Sequence, residues 1–287
     1  MLEYTIRMKV LPFQIPKPEH DTLIYQEDHE YIFYDKLHQH KEIQVSFIAE
    51  GSGTLIVGDT INDYKQGDVL VIGGNIPHVF KSDEELSKKS LMLTLFFTKN
   101  AFGDHFFELE ELRALHPFFK KAENGCKVVS NTVPLKGLFK TLKKASKFDR
   151  FVILLRILKH LSRAKTKVLS SFVYEKKYTD TEGKRMQDVM THTMNHYQQY
   201  IALDDIAKVA AMTKNAFCKY FKKRTNKTYF QFLSELRIEK ASKLLTSNHE
   251  LSIAEIAYQC GFRNLSNFNR QFLSIKKKTP SKYRLEH

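Results

Sequence analysis

The last hundred residues of this 287-residue chain contain one unit written twice. The first copy runs Ile201-Ala202-Leu203-Asp204-Asp205-Ile206-Ala207-Lys208-Val209-Ala210-Ala211-Met212-Thr213 and on to Phe217 and Phe221. The second runs Leu251-Ser252-Ile253-Ala254-Glu255-Ile256-Ala257-Tyr258-Gln259-Cys260-Gly261-Phe262 and on to Phe268 and Phe272. Ile206 matches Ile256 at an offset of 50, whereas Phe217 matches Phe268 and Phe221 matches Phe272 at 51. The second copy therefore carries one extra turn residue. Each copy reads as a short apolar-periodic helix, a tight turn and a second helix with a basic face. That is a helix-turn-helix, and a tandem pair predicts two helices that each enter a DNA major groove.

Charge is distributed accordingly. Lys184 to Arg284 holds 19 Lys and Arg against 7 Asp and Glu, a net of +12 out of +14 for the whole chain. Positive charge concentrated in about a third of the length is the footprint of a polyanionic partner.

A chain of 287 residues has room for two domains, each with its own core. No run of about 18 apolar residues predicts a membrane span. Met1-Leu2-Glu3-Tyr4-Thr5 lacks the basic-then-apolar layout of a signal peptide. Cys126, Cys218 and Cys260 are odd in number, far apart and form no Cys-x-x-Cys pair. This argues against structural zinc and a disulfide framework and fits a reducing cytoplasm. Leu285-Glu286-His287 reads as the start of an expression tag, so residues 285–287 are set aside.

Residues from about 20 to 98 read as strands. Ile43 to Ile48, Thr54 to Val57 and Val69 to Ile72 are apolar or alternating runs, punctuated by Gly51-Ser52-Gly53, Gly58-Asp59, Gly67-Asp68 and Gly73-Gly74-Asn75. Such short strands predict a sandwich or barrel. From about 101 to 165 the period becomes helical: Phe106, Leu109, Leu112, Leu115; then Leu135, Leu138, Phe139, Leu142; then Phe151, Leu154, Leu155, Leu158, Leu161. These helices are expected to pack on the barrel and offer a homodimer surface. The polar stretch 166–184 reads as a linker. The expected division is thus 1–165 for a strand-and-helix domain with the dimer surface, 166–184 for the linker, and 185–284 for DNA binding, and the resemblances given below imply effector binding for 1–165.

In the first unit Thr213 is placed to cap a helix whose inner face holds Phe217 and Phe221. Asn215, Cys218 and Lys219 then face out, with Lys222 and Lys223 at its end. In the second unit Ser252 and Glu255 form a capping box and Gly261 supplies the turn. Asn264 caps the next helix, Leu265, Phe268 and Phe272 face inward, and Ser266, Asn267, Asn269 and Arg270 face out. At the offset of 51, Lys219 matches Arg270 and Asn215 matches Ser266. Arg suits guanine and Asn suits adenine, whereas Lys214, Lys222, Lys223 and Lys276-Lys277-Lys278 suit phosphates, which set register. Between the units, Tyr229 to Leu245 is a long amphipathic helix that would hold the two motifs at a fixed separation.

That connector resembles the one of the AraC/XylS family, with Leu233, Arg237-Ile238, Ala241 and Leu244-Leu245 in a Leu-x-x-x-Arg-Ile-x-x-Ala-x-x-Leu-Leu pattern. The second unit resembles the family's most distinctive stretch, from Ile253-Ala254-Glu255-Ile256-Ala257-Tyr258 through Gly261-Phe262, Ser266, Phe268, Arg270 and Phe272 to Thr279-Pro280-Ser281 and Tyr283-Arg284. It departs at Cys260, where a valine is usual, and around Ile275-Lys276-Lys277. The resemblance covers about 185–284. It implies two recognition helices reading direct-repeat elements of double-stranded promoter DNA through Asn215, Cys218, Lys219, Ser266, Asn267 and Arg270. It also brings in RNA polymerase as a partner of activators.

The other half resembles the cupin-like barrel of sugar-type AraC regulators, on His38-x-His40-x-Glu42-x-Gln44 through Gly51 and on Gly67-Asp68-x-Leu70 through Asn75-Ile76-Pro77-His78. Strand alternation would put His38, His40, Glu42 and Gln44 on one face, and His78 would join them inside the barrel. Where metal cupins carry a carboxylate ligand this chain carries Gln44, so no metal and no other cofactor is assigned. The five side chains are expected to line a pocket for a small-molecule effector, a sugar or another polar metabolite. His192 and His196 share a helix face with no third ligand beside them. The expected fold is α+β and multidomain, a cupin-like β-barrel with packed helices followed by an all-α domain with two helix-turn-helix motifs. The expected function is a transcription regulator and not an enzyme. A metal-dependent cupin enzyme with an appended DNA-binding domain is the alternative.

Overall fold

The computed structural model describes residues 21–83, 89–173 and 179–286. Its first half is built from β1 (Leu23–Glu30), β2 (Ile43–Glu50), β3 (Gly53–Val57), β4 (Thr60–Tyr64), β5 (Val69–Ile72), β6 (His78–Ser82), β7 (Ser90–Phe97), β8 (Cys126–Val128) and β9 (Thr166–Val168). They form a six-stranded sheet in the order β1-β7-β2-β5-β8-β9 and a three-stranded sheet in the order β4-β3-β6. Neighbouring strands run antiparallel in both. An isolated bridge joins His38 to His78 at the edge of the small sheet.

Period-two alternation sorts the strand residues into layers. Ile43, Val45 and Phe47 of β2, Val69 and Val71 of β5, and Leu93, Leu95 and Phe97 of β7 point to one side of the large sheet. There they are buried against α1 (His116–Ala122), α2 (Val133–Thr141) and α3 (Lys147–Arg163) through Phe118, Leu135, Phe139, Leu154, Leu158 and Leu161. The other side faces the small sheet, and Ile48, Leu70, Ile72 and Met92 meet Leu55, Val57, Tyr64 and Phe80 in a second core.

The second half is helical: α4 (Asp180–His196), α5 (Leu203–Val209), α6 (Lys214–Thr225), α7 (Tyr229–Ser247), α8 (Ile253–Gln259), α9 (Leu265–Lys276) and α10 (Pro280–Leu285). Helix α7 spans two cores. Its Phe232, Leu233 and Leu236 pack with α4, α5 and α6, and its Ile238, Ala241 and Leu245 pack with Ile256, Phe268 and Phe272 of the second unit. The expected α+β organisation, strands first and paired helix-turn-helix units last, is therefore what the chain adopts.

Two expectations are corrected. The period through Phe106, Leu109 and Leu112 is not one helix but two 3₁₀ segments, Phe106–Glu108 and Glu110–Leu115. Extended backbone at Leu109, ψ 140°, breaks it, and Leu109 is exposed. The linker is shorter than 166–184. Thr166–Val168 pair with β8 as the edge strand of the large sheet, and α4 already begins at Asp180, where Thr179 and Glu182 form a capping box. Residues 174–178 of that stretch lie outside the described residues, as do 1–20 and His287. Leu285 is the last residue of α10.

The two halves share a core. Ile56, Ile61 and Val79, on the outer face of the small sheet, and Leu37 are buried with Met186, Val189, Met190 and Met194 of α4 and with Leu236 of α7. Polar ties frame this contact. Gln187 Nε2 donates to Leu37 O at 2.9 Å, and Lys227 Nζ donates to Asp59 O at 2.8 Å. Asp83 lies 3.3 Å from Lys240 and 2.8 Å from Lys243 of α7. Burial opposes ionisation of Asp83, but the two ammonium groups outweigh it and hold its carboxyl below the usual range. A lowered folded pKa means that this contribution to docking is complete above about pH 4 and fades as pH falls through the folded value. Asp83→Asn removes it at every pH. We expect faster hydrogen exchange in Lys240–Ser247 of the variant at pH 7 with unchanged helix content. Unaltered exchange would show that the apolar contact alone fixes the halves.

Candidate nucleic-acid interface and a buried histidine cluster

The two helix-turn-helix units match in helix length as they do in sequence. Helices α5 and α8 each have 7 residues, and α6 and α9 each have 12. The extra residue of the second unit falls in its turn, 260–264 against 210–213. Thr213 and Asn264 cap the second helices, and Ser252 with Glu255 makes the expected capping box. Each turn needs one residue in left-handed backbone, Ala211 at φ 52° and Gly261 at φ 85°. At Gly261 a side chain also has no room. A Cβ would stand 2.7 Å from Tyr197 O and 2.8 Å from Gln198 O.

Phe217 and Phe221 are fully buried under α6, and Phe268 and Phe272 under α9. Asn215, Cys218, Lys219, Lys222 and Lys223 are exposed on α6, and Ser266, Asn269 and Arg270 are exposed on α9. Two placements differ from expectation. Leu265 is 38% exposed rather than inward. Asn267 is half-buried, and its Oδ1 accepts from Arg270 Nη2 at 2.9 Å. It orients the arginine from the side instead of standing beside it. Nor does the lysine triplet act as one surface: Lys276 is paired with Glu239 at 2.6 Å, and Lys278 with Glu286. Lys214 is paired with Asp204 at 3.2 Å.

Arg237 of the connector had no role readable from sequence. Its Nε donates to Tyr197 O at 2.7 Å and its Nη2 to Gln199 O at 2.8 Å. It thus ties α7 to the end of α4, next to the turn at Gly261. Burial pulls its guanidinium below the ordinary range, and the site holds it against carbonyl oxygens that only accept. This tie fixes where the second unit sits relative to the first.

In the first half, His38, His40 and His78 converge in the space between the sheets, all buried, each offering a ring nitrogen within 4.8 Å of the others. The ring centroids of His38 and His78 are 4.3 Å apart and those of His40 and His78 are 5.0 Å apart. Gln44 joins them, with Oε1 3.1 Å from His40 Nε2, and continues through Ser46 Oγ at 2.9 Å to Thr94 Oγ1 at 2.9 Å. Ser46 and Thr94 escaped the sequence reading because each sits in an otherwise apolar strand. The expected single strand face is corrected. Strand β2 begins at Ile43, so His38 and His40 precede it, and Glu42 lies at a bend. Its carboxylate is 3.7 Å from His40 Nδ1, on the far side of that ring from Nε2. His192 and His196 stack on each other at 4.4 Å on α4, with the His196 Nδ1 donating to His192 O.

The turn geometry makes a pair of opposite predictions. Left-handed backbone costs a non-glycine residue about 1–2 kcal/mol, so Ala211→Gly should be neutral or stabilising by up to about 1 kcal/mol. Gly261→Ala adds a clash to that strain and should destabilise by roughly 2 kcal/mol or more. Urea unfolding of both variants decides it, and equal effects would rule out the steric account.

A helix-turn-helix domain model matches residues 206–286. The chain is 26% identical over 261 residues, 88% of its own length and 86% of the other's, to an uncharacterized HTH-type transcriptional regulator, YdeC, of Bacillus subtilis. It is 25% identical over 253 residues, 86% of each chain, to the HTH-type transcriptional activator RhaR of Mannheimia succiniciproducens. To the TetD protein of transposon Tn10 from Escherichia coli it is 35% identical over 99 residues, which are 34% of this chain and 71% of that one. With the tandem units, their connector and the sheet domain ahead of them, these matches place the chain in the AraC/XylS family of DNA-binding transcription regulators.

Proposed function

We propose that this regulator is switched by a small-molecule effector held between the two sheets, beside His38, His40, Gln44 and His78, with Glu42 behind His40. The observation that carries the reading is the shared core. The small sheet that bears His78 on its inner face buries Val79 on its outer face against α4 and α7. A ligand that shifts the inner face moves the support of the DNA-binding helices, and it acts through its differential affinity for the two arrangements. Residues up to 173 form the sensing half and those from 179 the DNA-binding half.

On the DNA side, Arg270 reads a base through its guanidinium, with Ser266 and Asn269 beside it. Asn215, Cys218 and Lys219 occupy the equivalent face of the first unit, and Lys222 and Lys223 meet phosphates. The homodimer surface is placed on helices α2 and α3, which carry exposed Val133 and Phe148. Family resemblance adds RNA polymerase as a partner and the cytoplasm as the compartment. No helix among the described residues is long and apolar enough to cross a membrane. The kinship with regulators favours binding over turnover in the sheet domain.

The test is a selection of genomic fragments with purified protein at about 150 mM salt, where non-specific binding is weak. A small set of promoters sharing two spaced elements is expected, and Arg270→Ala should lose preference in one of them at a cost of about 1–3 kcal/mol. Lys222→Ala should weaken binding to all of them alike and lower the salt slope by about 1. Indiscriminate recovery, the same in Arg270→Ala, would reduce the basic face to a phosphate binder.

A further inference from the structure

Positive charge has two centres in this chain, and only one of them lies in the DNA-binding half. From Val133 to Arg163, across α2 and α3, there are 9 Lys and Arg against Asp149 alone, a net of +8. With +12 from Lys184 to Arg284 and +14 in all, everything outside the two stretches carries −6. Three of the nine cations are engaged. Lys143 pairs with Glu27 at 3.0 Å, Lys147 pairs with Asp21 at 3.2 Å, and Arg150 donates to Leu142 O and lies over the Tyr25 ring. Lys136, Lys140, Lys144, Arg156, Lys159 and Arg163 are exposed and have no acidic partner among the described residues. Helix α2 lays Leu135 and Phe139 on the large sheet, and α3 lays Leu154, Leu158 and Leu161 on it. On the exposed sides of these neighbouring helices, Lys136, Lys140 and Lys144 follow at i, i+4 and i+8, the last in the 3₁₀ turn Leu142–Lys144. Arg156, Lys159 and Arg163 follow at i, i+3 and i+7. Each row is about 10–12 Å long, and packed helices stand about 8–10 Å apart. Like charges at these spacings repel, and the repulsion stays unless an anionic partner offsets it.

We propose that this face binds the phosphate backbone of a second stretch of double-stranded DNA, without reading bases, while α6 and α9 hold the first. The large sheet and the small sheet both lie between α2–α3 and the helices α4 and α7. Layers spaced about 10 Å apart put the face roughly 30 Å from α4 and α7, so a straight duplex on α6 and α9 does not touch it. Three observations favour duplex DNA over an acidic protein. Lysine and arginine side chains free of carboxylates suit phosphate oxygens. Among the six cations there is no acidic residue to set the register of a protein partner. The DNA already held by the chain also brings further duplex to high local concentration. The apolar part of the outer surface of α3, exposed Phe148 with half-buried Val152 and Leu155, lies in its first half and is left to the homodimer. Arg156, Lys159 and Arg163 lie in its second half. Neither the effector nor its site enters into this second contact.

The experiment loads the full chain with one short promoter fragment per chain, taken from the selection above, so that α6 and α9 are occupied. A long labelled duplex without the promoter elements is then added at about 50 mM salt, where phosphate contacts are strong. The wild type should capture it, with the logarithm of affinity falling against that of salt at a slope of about 5, as six phosphate contacts require. Arg156→Gln/Lys159→Gln should lower that slope by about 2 and weaken capture at least about 10-fold, with affinity for the short fragment unchanged. Lys136→Gln/Lys140→Gln, on the neighbouring helix, should do the same, so the outcome does not hang on the folding of one variant. Absence of capture by the loaded wild type overturns the proposal, and so does capture that both variants retain. Binding of anionic lipid vesicles or of polyglutamate in preference to the duplex also overturns it, and would assign the face to a membrane surface or to an acidic protein.

Discussion

A three-stranded sheet with two apolar faces is the element on which both halves of this protein depend. Leu55, Val57 and Phe80 need cover on one side of it, and Ile56, Ile61 and Val79 need cover on the other. The large sheet supplies the first cover and helices α4 and α7 supply the second. Neither face can be left to water without a cost of about 1.5–3 kcal/mol for each large side chain. The DNA-binding half therefore completes the fold of the sheet domain. One layer of sheet is all that separates His78 from the core beneath the first helix-turn-helix.

The second constraint is positional. Two recognition helices serve one duplex only if their separation is fixed, since adjacent major-groove faces lie about 34 Å apart. Helix α7 fixes it by contributing to the cores of both units. Arg237 then removes the remaining freedom by fastening α7 to the end of α4 beside the turn at Gly261. Asp83 fastens the same helix to the sheet domain through Lys240 and Lys243. The helix that spaces the two helix-turn-helix units is thus also the helix on which the sheet domain rests.

Much of this was legible in the residues. The repeat located α5, α6, α8 and α9, and the 50-to-51 change in offset located the extra turn residue. Caps at Thr213, Ser252 and Asn264 were readable because capping is local chemistry between residues three apart. Periodicity misled at Phe106–Leu115, where spacing suited a helix but the backbone at Leu109 did not. It misled again at Leu265, whose place on the inward stripe does not decide burial at the first residue of a helix. Composition suggested a linker over 166–184, yet three of those residues close a sheet whose other strands are far away in sequence.

The sequence by itself determined the tandem DNA-binding units, their capped helices, the basic outer faces and the strand-then-helix order, because each follows from patterns within a few turns of chain. Only the tertiary structure decided which distant groups meet. It seated α4 and α7 on the small sheet, turned Asn267 toward Arg270, and paired Lys276 with Glu239. It also brought His38 and His40 to His78 with every Nδ1 on a carbonyl, which no spacing of histidines discloses. Contacts such as these depend on the stacking of two sheets and the docking of two halves, and burial is settled by what covers a residue rather than by its neighbours in the chain.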